Sequence, residues 1–237
     1  MSSQLRISAK NLGSLAMPAF CPRCFWVAMH CQNKLPYQIF PGIFSSIDSY
    51  GKRLVHGWFD RHNDAPPWLA RLGSIKGYRN PPHFSKFNVL LQDFSVLVRG
   101  TPDGILVLAD NSHLIIDYKT AKFTETQDEL LPMYDAQLNA YAYIGERCGF
   151  SPVSGLALVY TEPVTSDVAA NEDKQMTGDG FVLGFSAKIL PITLKPDIVP
   201  KLAQQAREIF DLEHPPDSAS GCKDCALLQN LLAVSSI

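Results

Sequence analysis

Basic residues are not in excess in this 237-residue chain: 21 Lys and Arg stand against 23 Asp and Glu, a net charge of −2. Binding of a polyanion by bulk positive charge is thereby excluded, and any contact with nucleic acid has to be a local patch. Charge of either sign is sparse, at 19% of residues against a usual share of about 25%, while 46% of residues are hydrophobic. Disorder over the whole chain is excluded, and there is material for a core. No run of about 18 apolar residues occurs. The weak apolar stretch near the N-terminus is broken by Asn11, Gly13, Ser14 and Pro18, which argues against a signal peptide or a membrane span. The expectation is a soluble, cytoplasmic protein with no membrane partner. Internal repeats and long low-complexity stretches are also missing, so residues 1–237 read as a single domain.

Cysteine is present, and its spacing is informative. Four of the six cysteines form two Cys-x-x-Cys pairs, Cys21/Cys24 and Cys222/Cys225, at opposite ends of the chain, while Cys31 and Cys148 stand apart. In a reducing compartment such pairs read as metal ligands or redox dithiols sooner than as disulfides. Four thiolates so arranged can hold a tetrahedral zinc ion or an iron–sulfur cluster, with Cys31 able to stand in for Cys21 or Cys24. Cys148 reads as a core thiol.

Periodicity gives a mixed α/β (α+β) fold class whose two ends could meet. Two or three helices are expected in the first sixty residues, and a proline-rich surface connector over 63–84. An antiparallel meander follows over Asn88–Thr120, then a helix over Leu131–Cys148 with Pro132 in its first turn and Gly149 at its stop. Strands over Gly155–Thr161 and Phe181–Leu194 and a helix over Asp197–Leu212 complete the pattern. From Arg71 to Arg99, five basic residues and one acid, Asp93, are interleaved with Tyr78, Phe84 and Phe87. Such a patch suits phosphate contacts and base stacking, and equally a solvated connector.

The segment RGTPDGILVLADNSHLIIDYKT concentrates chemistry on its last strand. Side chains alternate along a strand, so Ile115, Asp117 and Lys119 share one face and Leu114, Ile116 and Tyr118 the other. A three-residue loop at Asp110–Ser112 would pair Ala109 with His113 and place Asp103 opposite Lys119, diagonal to Asp117. Two carboxylates and an ammonium would then converge, suiting a hard divalent cation such as Mg²⁺ or Mn²⁺ that polarises a phosphodiester and activates water. A solvated cross-strand ion pair between Asp103 and Lys119 is the plainer alternative.

Pro102-Asp103, thirteen residues, then Asp117-Tyr118-Lys119 resembles the signature of the PD-(D/E)XK nuclease superfamily, and Gly100 ahead of the Asp is similar to its RecB-type branch. Tyr134, Gln137 and Tyr141, spaced Y-x-x-Q-x-x-x-Y, resemble that branch's helix motif, and Gly51 and His56 in SYGKRLVHGWF resemble its Gly/His motif. The resemblance implies a restriction-endonuclease-like mixed sheet flanked by helices, and a Mg²⁺- or Mn²⁺-dependent deoxyribonuclease. His56, Asp103, Asp117 and the backbone carbonyl of Tyr118 would hold the metal, Lys119 would serve the attacking water, and Gln137 and Tyr141 would position substrate or Lys119.

Some RecB-type nucleases, the AddAB nuclease domain and the CRISPR spacer-acquisition exonucleases among them, staple their chain ends with cysteines around a 4Fe-4S cluster. The placement of Cys21, Cys24, Cys222 and Cys225 is similar, but those proteins split their ligands one and three, which keeps Zn²⁺ in contention. By the same resemblance the partner is DNA, single-stranded or end-exposed, cut as an exonuclease in repair or processing, with a helicase as a possible associate. A noncatalytic DNA-binding or assembly module on the same fold and a sequence-specific endonuclease subunit are the alternatives.

Overall fold

The computed structural model describes residues 4–34, 41–123 and 129–235. In chain order the elements are β1 (Leu5–Ser8), α1 (Ala9–Gly13), α2 (Pro22–His30), α3 (Gly42–His62), β2 (Ile75–Arg79), β3 (Asn88–Leu91), β4 (Val96–Arg99), β5 (Gly104–Leu108) and β6 (His113–Lys119). Then follow α4 (Leu131–Arg147), β7 (Val153–Pro163), the short α5 (Asp167–Ala170), β8 (Met176–Thr177), β9 (Gly180–Phe181), β10 (Phe185–Ile192), α6 (Ile198–Phe210) and α7 (Lys223–Ser235). The mixed α/β class read from the sequence is the one observed.

The main sheet has the order β10-β7-β6-β5-β2, with β6 in the middle, antiparallel to β5 and parallel to β7. A parallel neighbour needs a crossover, and α4 supplies it. Because β6 is covered on both faces, its first five residues are all buried, and the run Leu114-Ile115-Ile116 is continuously apolar rather than alternating. Ile115 belongs to the core beneath α1, α4 and α6, which includes Leu12, Leu138, Ile144 and Ala203. Leu114 and Ile116 belong to a smaller core with Val55 and Phe59 of α3 and with Leu69.

Several expectations need correction. The segment over 63–84 is not only a connector: Ile75–Arg79 forms β2, which pairs with β5 through an irregular step between Ile75 and Gly77. The meander expected over Asn88–Thr120 is divided between two sheets. The β3–β4 hairpin joins β1, which pairs parallel to β4, whereas β5 and β6 belong to the main sheet. Thr101 and Pro102 break the chain between them, and proline carries no N–H for a ladder. Strand β1 was not expected, since it is only four residues long and ends at the helix N-cap Ser8, so no alternation is long enough to register. The strand expected over Phe181–Leu194 is two pieces, β9 and β10.

The β5–β6 register also departs from expectation. Leu108 N–H donates to Ser112 O at 2.9 Å, so the loop is Ala109–Asn111 and the ladder pairs Val107 with His113 and Gly104 with Ile116. Asn111 takes a left-handed φ of 68°, and Asp110 Oδ1 accepts from both Ser112 N–H (2.9 Å) and Ser112 Oγ (2.6 Å), tying Ser112 to the strand side of the turn. One further step along this register sets Asp103 across from Asp117, not from Lys119. The partner has moved by two residues, so the faces are preserved.

Helix α4 starts with Pro132 in its first turn and stops before Gly149, whose φ is 89°. It packs closely against α1 because residue 13 is glycine: a Cβ there would collide with the carbonyl oxygen of Met133. Gly13→Ala is therefore expected to destabilise the fold by about 1–3 kcal/mol, measured by urea unfolding. Wild-type stability would show that the α1–α4 contact yields without cost.

Candidate functional site

Strand β6 ends in polar residues that its alternation sends to different sides. Asp117 follows Ile115 toward α4 and is 3% exposed, while Tyr118 turns toward α3. Asp103, just before β5, accepts the Tyr118 backbone N–H at Oδ2 (2.8 Å) and Lys52 Nζ at Oδ1 (2.6 Å). Lys52, from α3, also donates to Asp48 Oδ2 at 2.7 Å. Lys119 forms an ion pair with Asp117 and lies 4.0 Å over the ring of Tyr134. The three carboxylates and two ammonium groups form one interleaved cluster at the end of the β5–β6 hairpin.

The second layer comes from α4. Gln137 Nε2 donates to Tyr141 Oη at 3.0 Å and approaches Asp117 Oδ1 at 3.5 Å, while its buried Oε1 has no hydrogen-bond partner among the described residues. Gly100 makes room for this arrangement: a Cβ there would collide with Cε1 of Tyr141. Burial raises the Asp117 carboxyl to about 6, Asp103 adding to the rise and Lys119 opposing it. Burial, then the charge of Asp117, also raises the Tyr141 phenol, so it stays protonated as a hydrogen-bonding group. A cleft of about 440 Å³ opens onto the cluster, bounded by Phe44, Asp48, Lys119 and Tyr134.

This donor set fits a divalent cation. Asp103 raises the proton affinity of Asp117, so negative charge is in local excess, and a cation between the carboxylates would relieve it. The orphaned Gln137 oxygen is an acceptor suited to a metal-bound water. His56 is placed otherwise. Its ring stacks on Tyr78 with centroids 4.1 Å apart, and its charged form is disfavoured by burial and by nearby Lys52, against the pull of Asp60. Among the described residues only the cysteines bring three or more His, Cys, Asp or Glu donor atoms within 4.8 Å of one another, so His56 is not gathered with Asp103 and Asp117. The Tyr118 group that meets Asp103 is the N–H rather than the carbonyl.

Sequence reasoning missed Lys52 and Asp48. The signal was available: they lie four and eight residues before His56, at helical spacing. The aromatic patch is only partly as expected. Phe87 is fully buried in the core, Tyr78 faces His56, and Phe84 is exposed beneath the Arg99 guanidinium at 5.1 Å.

Apart from the carboxylate cluster, the two Cys-x-x-Cys pairs converge. Cys24 Sγ lies 3.3 Å from Cys225 and 3.5 Å from Cys222, and Cys21 lies 3.6 Å from Cys225. One pair opens α2 and the other opens α7, so each helix start presents its thiols to the other. Burial raises the Cys21 thiol, but the N–H groups of Cys24 and Ala219, helped by the neighbouring thiols, more than reverse this and bring it to about 6. Burial and crowding push Cys225 up to about 11 and raise Cys24 as well. Four thiols this close cannot all ionise without a cation among them, and the quartet could bind a metal. Cys31 is exposed and outside the quartet, and Cys148 lies against the backbone carbonyls of Lys86 and Asn88.

No helix among the described residues is long and apolar enough to cross a membrane. No curated protein is significantly similar to this chain. Among solved structures, the crystal structure of SSO0001 matches with 14% identity and a TM-score of 0.44, over 97% of this chain and 87% of the other. The profile of the PD-(D/E)XK nuclease superfamily matches residues 51–229, from the start of the Lys52 and His56 turn through the second cysteine pair. With the Asp103, Asp117 and Lys119 cluster inside a match covering about three-quarters of its length, the chain belongs to the PD-(D/E)XK nuclease superfamily.

Proposed function

We propose that the protein is a divalent-metal-dependent deoxyribonuclease, a single domain over residues 1–237 acting as an exonuclease on single-stranded or end-exposed DNA in repair or processing. A helicase is the kind of partner that would supply such ends. The observation that supports this reading best is the opposition of Asp103 and Asp117 across the hairpin, with Lys119 on the same strand end. Asp103 and Asp117 would hold Mg²⁺ or Mn²⁺, and the bound ion would supply an acidified water and a counter-charge for the phosphate. Lys119, held by Asp117 and Tyr134, donates hydrogen bonds to the attacking water or to charge growing on phosphate oxygens. Gln137 accepts from that water through Oε1, and Tyr141 fixes the Gln137 amide. His56 would join the ligands only by leaving its stack on Tyr78.

Lys52 competes with the cation for Asp103. Asp117→Ala should therefore weaken Mg²⁺ binding, whereas Lys52→Gln should strengthen it by about tenfold, the scale of one charge pair near a surface. Isothermal titration calorimetry measures both, and a Lys52→Gln protein that binds Mg²⁺ no better would remove Lys52 from the metal balance.

Cleavage itself is tested with labelled single- and double-stranded DNA in Mg²⁺, Mn²⁺ and EDTA. Asp117→Ala and Lys119→Ala are each expected to lose at least about 100-fold in rate while staying folded, because each removes an interaction strengthened in the transition state. Wild-type turnover in either variant would overturn the assignment, and circular substrate cut as fast as linear would replace the exonuclease with an endonuclease.

For the cysteines the reading is a structural zinc ion. Zinc bound to thiolates at about 2.3 Å sets neighbouring sulfurs about 3.8 Å apart; three of the Sγ separations are 3.3–3.6 Å and all four Sγ atoms lie within 4.8 Å of one another, which supports a single ion. Four thiolates on the separate irons of a 4Fe-4S cluster would stand wider. Elemental analysis of anaerobically purified protein should give one zinc per chain and no colour, whereas brown, iron-containing protein would establish the cluster instead. Cys225→Ser should lose the metal and about 3 kcal/mol or more of stability, because the site closes a loop of nearly two hundred residues.

A further inference from the structure

A second cleft, of about 610 Å³, lies beside the carboxylate cluster, and Tyr118 lines both. Its volume is within the range of small-ligand pockets, about 300–1,000 Å³. Helix α3 forms one wall with Tyr50, Leu54 and Trp58; Trp68 and the start of β10 at Phe185 form the others. Much of this apolar surface is open: Tyr50 is 57% exposed, Leu54 50% and Phe185 40%. Resting on the nuclease reading, we infer that this cleft is a nucleobase-binding subsite, which takes an unstacked base of the single strand whose phosphate sits at Asp103 and Asp117.

Three observations select that occupant over a peptide or a lipid tail. First, the cleft is continuous with the reaction site: Tyr118 sends its backbone N–H to Asp103 while its ring side lines the apolar cleft, so a ligand can reach both at once. Nucleotides adjoining a scissile phosphate meet that condition. Second, the walls are rich in flat aromatic rings, and every base has a π-face to lay against them, whereas an aliphatic chain gains nothing from ring flatness. Third, the polar groups at the cleft match a nucleotide. Trp58 Nε1 is a buried donor without a partner among the described residues, and base carbonyls and ring nitrogens are acceptors. Arg61 lines the cleft as a cation available to the connecting phosphate, and Ser186 and Thr161 offer hydroxyls for base edges. Duplex DNA, with its bases stacked and paired, offers no free base face, so the subsite selects single strands or frayed ends.

The test is fluorescence anisotropy of a labelled single-stranded deoxythymidine oligonucleotide with the full-length protein in Ca²⁺ and without Mg²⁺, Mn²⁺ or chelator, so that the cysteine-bound metal is retained and hydrolysis is suppressed. One abasic residue is scanned along the strand, and the same scan is made with Tyr50→Ala and Trp58→Phe. Tyr50 is largely exposed and Trp58→Phe keeps the ring, so both variants are expected to fold, which circular dichroism verifies. An abasic residue at one position should weaken wild-type binding by about tenfold, and each variant should weaken binding of the intact strand while losing sensitivity at that position. Equal affinity of variants and wild type, an abasic scan without a sensitive position, or tighter binding of blunt duplex than of single strand would overturn the subsite. Parallel Mg²⁺ cleavage assays separate the two readings. Cleavage without base-dependent binding refutes the subsite alone, whereas base-dependent binding without cleavage supports the subsite and refutes the nuclease reading.

Discussion

A carboxylate that is 3% exposed at the end of an otherwise apolar strand costs several kcal/mol unless its charge is met, and Asp117 is such a group. The neighbours of β6 answer that constraint in different ways. Lys119, two residues along the same face, supplies the counter-charge, and Gln137 supplies an amide N–H from the crossover helix. Neither cancels the effect of burial and of Asp103, since the Asp117 carboxyl still rises to about 6. In the proposed metal-bound state a divalent ion would relieve this electrostatic penalty, which is already present in the free protein.

The same constraint accounts for two features that look unrelated in the chain. Gly100 lacks a side chain where the Tyr141 ring must pass, so Tyr141 can orient the Gln137 amide toward Asp117. Gly13 lacks one where α1 must approach α4, the helix that carries both residues. Small residues outside the site thereby set the position of polar groups inside it, and overpacking at either would be felt as a change in chemistry as well as in stability.

What the sequence disclosed follows the reach of local rules. Alternation along HLIIDYKT placed Asp117 and Lys119 on one face, and the helical spacing of Gln137 and Tyr141 put them together on α4, because both patterns depend on a single element. The register of β5 on β6 depends on which residues of Ala109–Ser112 form the loop. There the left-handed Asn111 and the Asp110–Ser112 hydrogen bonds outweighed a count of residues, moving Asp103 from Lys119 to Asp117. Helical spacing groups Asp48 and Lys52 with His56, but Lys52 and Asp103 lie 51 residues apart, and that this face of α3 meets the hairpin is set by tertiary packing. Division of the expected meander into two sheets was likewise hidden, since it follows from the tertiary pairing of β1 with β4.

The cysteine quartet and the carboxylate cluster divide the demands on this fold between them. Helices α2 and α7 contribute few large buried side chains: only Phe25 and Met29 of α2, and of α7 only Cys225, are buried, while Leu227, Leu231 and Leu232 stay exposed. Apolar burial alone gives α7 little reason to stay docked, because of its four leucines only Leu228 is even half-buried. The thiols that converge between the two helix starts are therefore the main link between the end of the chain and its beginning, and a bound ion would strengthen it where packing is thinnest. The main sheet, whose β6 is buried on both faces, needs no such help, so unmet charge can be carried at its centre while the thiols, and in the proposed state a metal among them, would hold the periphery.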